Sequence, residues 1–273
     1  MAVELLVLVD NGVSCDTLHK EHGLSVLLQR DGRRMVFDAG ESGSVVRHNA
    51  AQLGEELAGV EGAIVSHGHC DHTGGLDTMV AERPGLNIYA HPGAFSRRWS
   101  DHAGSSMRDI SCPHALAKLC DRGAVFHAIR GPEMLADWLV LSGPIGGQAP
   151  PGPFVIRKGE EIIVDSFEDE LFCLIRGDGG WVVLTGCCHR GLANTLRAAR
   201  FLAHDEPIRA IVGGLHLHQA DETELTGVVG LLERYGSPTL YPCHCTGERA
   251  VEFLARRLGE KVRPVQAGCR FSV

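Results

Sequence analysis

The chain has 273 residues, 44% of them hydrophobic and 22% charged, which is enough apolar material for a substantial core and argues against a disordered chain. Lys and Arg number 26 against 34 Asp and Glu, a formal charge of −8. That balance argues against broad binding to nucleic acid or an anionic membrane, while leaving room for a local basic pocket. The opening "MAVELLVLVD" has no basic stretch ahead of its apolar run and reads as a strand rather than a signal peptide. No apolar run approaches the ~20 residues needed to cross a bilayer. Ten cysteines without an export signal fit reduced thiols. A cytoplasmic protein is expected.

In chain order, "VELLVLVDN" (3–11) and "LSVLLQ" (24–29) are apolar runs bounded by Gly, Asn and Asp, as buried strands are. Asp31-Gly32 is a turn signal, so 24–38 reads as a hairpin. A helix is expected over 44–57, then short strands at 62–66 and 86–91. Residues 92–160 read as an irregular elaboration near the active site, of the kind that often covers substrate; glycines and prolines crowd its end. Strands follow at 170–176 and 181–186, flanking the turn "GDGG" (177–180). A helix begins near 191, with Leu192, Leu196, Ala199 and Leu202 on one face. A strand at 209–214, a helix at 223–234, a strand at 239–242 and a helix at 248–259 complete the pattern. No repeat and no linker divides the chain, so 1–273 is expected to be one domain.

The stretch that carries chemistry is "SHGHCDHTGG" (66–75). The strand at 62–66 runs straight into it, so His67 and His69 at its end are expected to point the same way, because side chains alternate along a strand. Asp71 and His72 follow where the chain turns. Imidazole and carboxylate are ligands that suit zinc, iron or manganese. Four such groups buried together without a cation would strand one another; the bland alternative is an exposed histidine-rich loop. Three further candidate groups sit at the ends of expected strands: Cys187, Cys188 and His189; His216 and His218; Cys243, His244 and Cys245. Ligand sites in α/β sheets gather at such strand ends.

"SHGHCDHTGG" resembles the signature of the metallo-β-lactamase fold superfamily. Within it the chain is similar to the 7,8-dihydropterin-6-methyl-4-(β-D-ribofuranosyl)aminobenzene-5′-phosphate synthase-like subgroup, through "LVDN" (8–11), "EHGLSVLL" (21–28), "FDAG" (37–40), Asn49, "DSFEDE" (165–170), "LTGCCHRGLANTL" (184–196), "GGLHL" (213–217) and "CHCTG" (243–247). The resemblance implies an α/β fold, a four-layer αβ/βα sandwich, holding two divalent metal ions, zinc first with manganese or iron as alternatives. It assigns His67 and His69 to the first metal and Asp71 and His72 to the second. His189 is expected to complete the first site and His244 the second. The superfamily's usual third histidine, from the interval before "LTG", is not evident among His91, His102, His114 and His127.

Cys187 stands where many relatives place a bridging Asp; it is the runner-up ligand, with a small buried core residue as the alternative. His216 is open between ligand and proton donor. In "DSFEDE", Asp165, Glu168, Asp169 and Glu170 are either support for the ligands or a solvated acidic turn. Asp38 is expected to orient a ligand or pin its turn. Arg190, Arg97 and Arg98 are candidates to hold a substrate phosphate, with a surface role as the alternative. The subgroup's arginine after "GPI" is absent, since the chain continues "GGQAPPGP" (146–153).

The activity expected is a metal-dependent hydrolase in which the metal pair activates water. Asp71 would orient the nucleophile and His216 protonate the leaving group. A phosphate-bearing small molecule, ester or phosphodiester, is the expected substrate, with homo-oligomerisation left open. The rivals are a pterin-related synthase or transferase on the same metals, a two-iron redox centre, and a non-catalytic metal-binding or sensing module.

Overall fold

A computed structural model describes residues 2–101, 106–177 and 179–273. Its first half runs β1 (Glu4–Val9), β2 (Ser25–Arg30), β3 (Arg33–Phe37), α1 (Gly43–Gln52), β4 (Gly62–Ile64), α2 (Cys70–Thr73), α3 (Leu76–Glu82), β5 (Asn87–Ala90), β6 (Arg98–Ser100), β7 (Arg108–Asp109), α4 (Leu116–Asp121) and β8 (Val125–Ala128). The second half runs β9 (Glu133–Ala136), β10 (Leu139–Leu141), β11 (Phe154–Lys158), β12 (Glu161–Val164), β13 (Cys173–Gly177), β14 (Gly180–Thr185), α5 (Leu192–Leu202), β15 (Ile208–Gly213), α6 (Glu222–Arg234), β16 (Thr239–Pro242), α7 (Glu248–Leu258) and β17 (Arg270–Ser272).

The strands form a seven-stranded sheet in the order β17-β1-β2-β3-β4-β5-β8 and a six-stranded sheet in the order β16-β15-β14-β13-β10-β9. The run "ELLVLV" explains how they pack. Leu5 and Val7 face inward and meet Leu139, Cys173, Ile175 and Leu184 of the other sheet. Leu6 and Leu8 face outward against Val46 of α1 and Met79 of α3. A strand buried on both faces needs such an unbroken apolar run. The second sheet is covered in the same way, with Leu174, Val183 and Ile211 under Leu196 of α5, Leu225 of α6 and Leu254 of α7. The result is the expected four-layer αβ/βα sandwich. Each fully buried Leu or Val in it contributes about 1.5–3 kcal/mol.

Two expectations change. The helix expected over 44–57 stops at Gln52, because Gly54 turns the chain left-handed at φ 75 just after the cap. Residues 92–160 are not irregular: β8 extends the first sheet, β9 and β10 extend the second, and β6, β7, β11 and β12 make a third sheet of four strands. These strands are two to five residues long, and β8 and β9 are only half-buried, so their alternation is too short to read in the sequence. The expected hairpin is present, with Asp31 at φ 53 and Gly32 at φ 81 making its turn. Of the turn expected at 177–180, Asp178 lies outside the described residues. Among the described residues no helix is long and apolar enough to cross a membrane.

Strand direction positions the site. β3, β4, β5 and β8 are parallel, as are β14, β15 and β16, and β1 runs with β3 across the antiparallel β2. The loops leaving β1, β3, β4, β14, β15 and β16 all carry candidate residues.

Candidate metal centre

β4 ends at Ile64, so His67 and His69 sit in the loop after it and are brought together by that loop rather than by the pleat. Their ring centroids are 4.5 Å apart. Gly68 between them lies so close to Ala94 that a Cβ would overlap its carbonyl oxygen. Its N–H donates to Asp169 Oδ2 at 2.8 Å, which ties the loop to the second sheet. The loop then enters the short helix α2, which carries Asp71 and His72, both buried.

Three groups of donor atoms converge, those within each group lying no more than 4.8 Å apart: His67, His69 and His189; Asp71, His72, Cys187 and His244; and Cys187, His189 and His216. The shared Cys187 and His189 make the groups one continuous centre. Asp71 Oδ2 lies 3.4 Å from His72 Nε2 and 3.3 Å from His244 Nε2. His72 Nε2 is 3.1 Å from Cys187 Sγ. Cys188 goes the other way, its Sγ beside Thr195 Oγ1 at 3.4 Å in the core under α5.

The outer ring nitrogens set the tautomers. His72 Nδ1–H donates to Asp38 Oδ2 at 2.7 Å, His67 Nδ1–H to Ser66 Oγ at 2.9 Å, and His244 Nδ1–H to Asn11 Oδ1 at 3.0 Å. Their Nε2 lone pairs are thereby turned into the centre. The buried Nε2 atoms of His67, His69, His189 and His244, and Nδ1 of His216, have no hydrogen-bond partner among the described residues. Buried polar atoms are normally paired; the unpartnered Nε2 atoms of His67, His69 and His189, which form one donor group, fit a cation. Burial holds His67, His69 and His189 well below the ordinary histidine pKa, in the neutral form that ligates. Burial opposes the Asp71 carboxylate, but the adjacent imidazoles of His72 and His244 outweigh it and keep its pKa well below the usual range. Burial pushes the Cys187 thiol up. A donor set of nitrogen, carboxylate oxygen and sulfur suits zinc or a softer transition metal.

Behind the candidate ligands stands a shell of carboxylates. Asp38 accepts from Ser66 N at 2.7 Å as well as from His72, so it both orients the His72 ring and pins the β4 loop. Asp10 Oδ1 accepts from His244 N at 2.7 Å. "DSFEDE" is not a solvated turn: Asp165, Asp169 and Glu170 are buried, and only Glu168 is exposed. Glu170 accepts from His189 N and Arg190 N, both at 2.6 Å. Asp169 also binds Arg98 Nη1 at 2.9 Å, and the Arg98 side chain is fully buried.

His216 lies 4.4 Å from His189, ring to ring, at the side of the centre. Burial works against its protonation, yet a hydrogen bond with Cys245 and the charges of Cys245 and Glu170 outweigh it and raise its pKa. The arginines depart from expectation. Arg97 points outward and pairs with Asp109, away from the cavity, because its neighbour Arg98 takes the inward position of β6. Arg190 is buried, with its guanidinium donating to the carbonyls of Ser166 and Gly147, so it braces the loop. Of the interval histidines, His91 caps Gly93 N, His114 Nε2–H donates to Gly74 O, and His127 stacks on Tyr89; none reaches the centre. His102 lies outside the described residues.

A cavity of ≈ 340 Å³ opens over the centre, and it brings in Arg108, which no motif contained, and His22, which lay in "EHGLSVLL" without an assigned role. His22 Nε2 sits 3.4 Å from Asp71 Oδ2, and Arg108 lines the wall. His22 comes from the β1–β2 connection and Arg108 from the two-residue strand β7. Neither shows a periodic or strand-end signal. Asn11 and Asp10 did carry one, since they end β1 as the ligand loops end their strands.

The fold and its residues define an α/β sandwich with a histidine-rich cluster of candidate metal ligands at the strand ends. The family model for the metallo-β-lactamase superfamily matches residues 20–244, and the chain belongs to that superfamily. The crystal structure of Tm1679, described as a metal-dependent hydrolase of the β-lactamase superfamily, superposes with a TM-score of 0.85 at 31% identity, covering 99% of both chains. An uncharacterized protein of Methanocaldococcus jannaschii is 26% identical over 254 residues, 92% of this chain and 93% of the relative. The 7,8-dihydropterin-6-methyl-4-(β-D-ribofuranosyl)-aminobenzene-5′-phosphate synthase of the same organism is 24% identical over 266 residues, 91% of this chain and 88% of the relative.

Proposed function

We propose that the protein is a metallohydrolase with two divalent cations, zinc foremost, acting on a phosphate ester or phosphodiester of a small molecule. The observation that carries this reading is the abutment of two ligand groups whose buried nitrogens lack partners, at the floor of one cavity. His67, His69 and His189 would hold the first cation, and Asp71, His72, His244 and Cys187 the second. Bound there, the pair would supply an activated water near neutral pH and polarise the ester oxygen.

The chain's own residues divide the remaining work. Asp71, ionised and with Oδ2 turned among three imidazoles, orients the nucleophilic water. His216, beside His189 and lining the cavity, would donate to the leaving oxygen. Arg108, exposed on the cavity wall and 3.6 Å from Glu41, is placed to draw an anionic substrate in. The M. jannaschii synthase favours a second reading, in which the same centre presents an organic nucleophile in place of water.

The test is the metal content of protein purified without added metal, by plasma mass spectrometry, beside His69→Ala and His216→Ala. About two metals per chain, reduced sharply in His69→Ala, is the expected result. His216→Ala should keep its metal and lose hydrolysis of bis(p-nitrophenyl) phosphate. A metal-free native protein would overturn the reading; metal without any phosphodiester turnover would favour the synthase.

A further inference from the structure

The motif "EHGLSVLL" holds a histidine that the proposed chemistry leaves unused. His22 projects from the β1–β2 connection with its side chain 58% exposed, yet the chain on both sides of it is fixed. Glu21 accepts the N–H groups of Glu41 and Ser42 at 2.9 and 3.1 Å. Leu24 N donates to the carbonyl of Asp71 at 3.2 Å, and a Cβ at Gly23 would stand 2.7 Å from that same oxygen. The connection thereby sets His22 beside Asp71, with little of the ring buried.

Asn11 determines where the ring carries its hydrogen. Gly23 N can only donate, so the Asn11 atom it meets at 3.4 Å is Oδ1, and the amide NH2 faces His22 Nδ1 at 3.3 Å. In the neutral ring Nδ1 must then accept, which leaves the hydrogen on Nε2, 3.4 Å from Asp71 Oδ2. His244 is set the opposite way: its Nδ1 meets Asn11 Oδ1 at 3.0 Å, so its Nε2 carries a lone pair. Asp38 does the same for His72. Of the three imidazoles around Asp71 Oδ2, two offer lone pairs and His22 alone offers an N–H. That contact is longer than an ordinary hydrogen bond, as such bonds commonly are before a site is loaded.

We propose that His22 is a positioning residue: its Nε2–H holds one oxygen of Asp71 and so fixes the carboxylate within the second ligand group. A ligand whose orientation is fixed by an outer hydrogen bond binds its cation more tightly. That Asp71 then aligns a nucleophile rests on the function proposed above; the hold on its carboxylate does not.

Competition between the protein and a chromophoric chelator for zinc, at about pH 8 where histidine is neutral, tests the hold directly. His22→Ala should weaken one of the two zincs about 10–100-fold and leave the other unchanged. His22→Gln, whose amide N–H reaches the place of Nε2, should retain both. Urea midpoints of the metal-free variants should match the wild type, since the ring is exposed. With bis(p-nitrophenyl) phosphate at saturating zinc, His22→Ala should lower kcat and leave KM unchanged. Unchanged zinc affinity in His22→Ala overturns the proposal. Equal loss in His22→Ala and His22→Gln overturns it too, because the ring would then be a ligand and not a donor. Zinc weakened in His22→Ala and kept in His22→Gln, without turnover by the wild type, supports the hold on Asp71 and sinks the hydrolase reading.

Discussion

Glu170 is the carboxylate on which the site and the stability of the chain pull in opposite directions. It is fully buried, and both its oxygens accept backbone N–H groups, from His189 and Arg190. Burial is the largest influence on it and pushes its pKa from 4.5 to about 7. A carboxyl raised in the folded state binds its proton more tightly there than when unfolded. Its stabilising contribution is therefore present below the unfolded value and lost as pH rises through about 7. Keeping the charge above that pH costs about 3 kcal/mol. Glu170→Gln removes the charge, yet leaves one of the two N–H groups facing an amide NH2, a loss of about 1–3 kcal/mol. The metal-stripped variant should be less stable than the wild type at about pH 5, and equal or superior at about pH 8. Urea midpoints at the two pH values measure this. At both, His189 is less firmly held, and metal affinity of the first group should fall about 10–100-fold. A stability difference that does not change with pH would refute the burial argument.

Asp38→Asn should weaken metal binding at the second group by about 10–100-fold, read as metal retained after dialysis, because it disturbs the bond that turns His72 inward. Unchanged retention would mean that packing alone places the ring. Arg98→Met should cost about 3–5 kcal/mol in urea unfolding, since it leaves Asp165 and Asp169 buried without their cation. Burial already raises the Asp165 carboxyl and Arg98 opposes that rise, so without Arg98 it would rise further; the loss should therefore shrink as pH falls, and a loss that grows with acid would contradict the pairing.

The layered fold and the convergence of the histidine-rich loops were legible for a common physical reason. Strands buried on both faces must be apolar along their length, so "ELLVLV", "SVLLQ" and "WVVLT" announce themselves. Polar residues directly after such runs then stand out, as His67, His189, His216 and His244 do. Strands this short lack that contrast, which is why β6 to β11 read as irregular. Arginines failed for a different reason. Arg97 and Arg98 are adjacent, and which one faces inward depends on the register of β6 against β11, a long-range pairing with no local signature. "DSFEDE" reads as a solvated turn by composition; only the fold supplies the backbone N–H groups and Arg98 that make three of its carboxylates buried partners.

Backbone strain gathers at the same edge. Among the described residues nine non-glycines have positive φ, and Asp38, Phe167, Cys188, His216 and His244 border or belong to the centre. A left-handed conformation costs about 1–2 kcal/mol for a residue with a Cβ. At Asp38 and His244 it accompanies identifiable hydrogen bonds, to His72 and Asn11. The edge thus combines strained backbone, buried carboxylates and imidazole nitrogens without partners, each unfavourable to folding alone. A sequence selected only for stability would relax all three, and the apolar layers beneath show that this chain packs well where nothing else is required of it. Their coincidence at one set of strand ends is what a cation would offset, because it pairs the nitrogens, answers the carboxylate charge and makes the strained geometry useful.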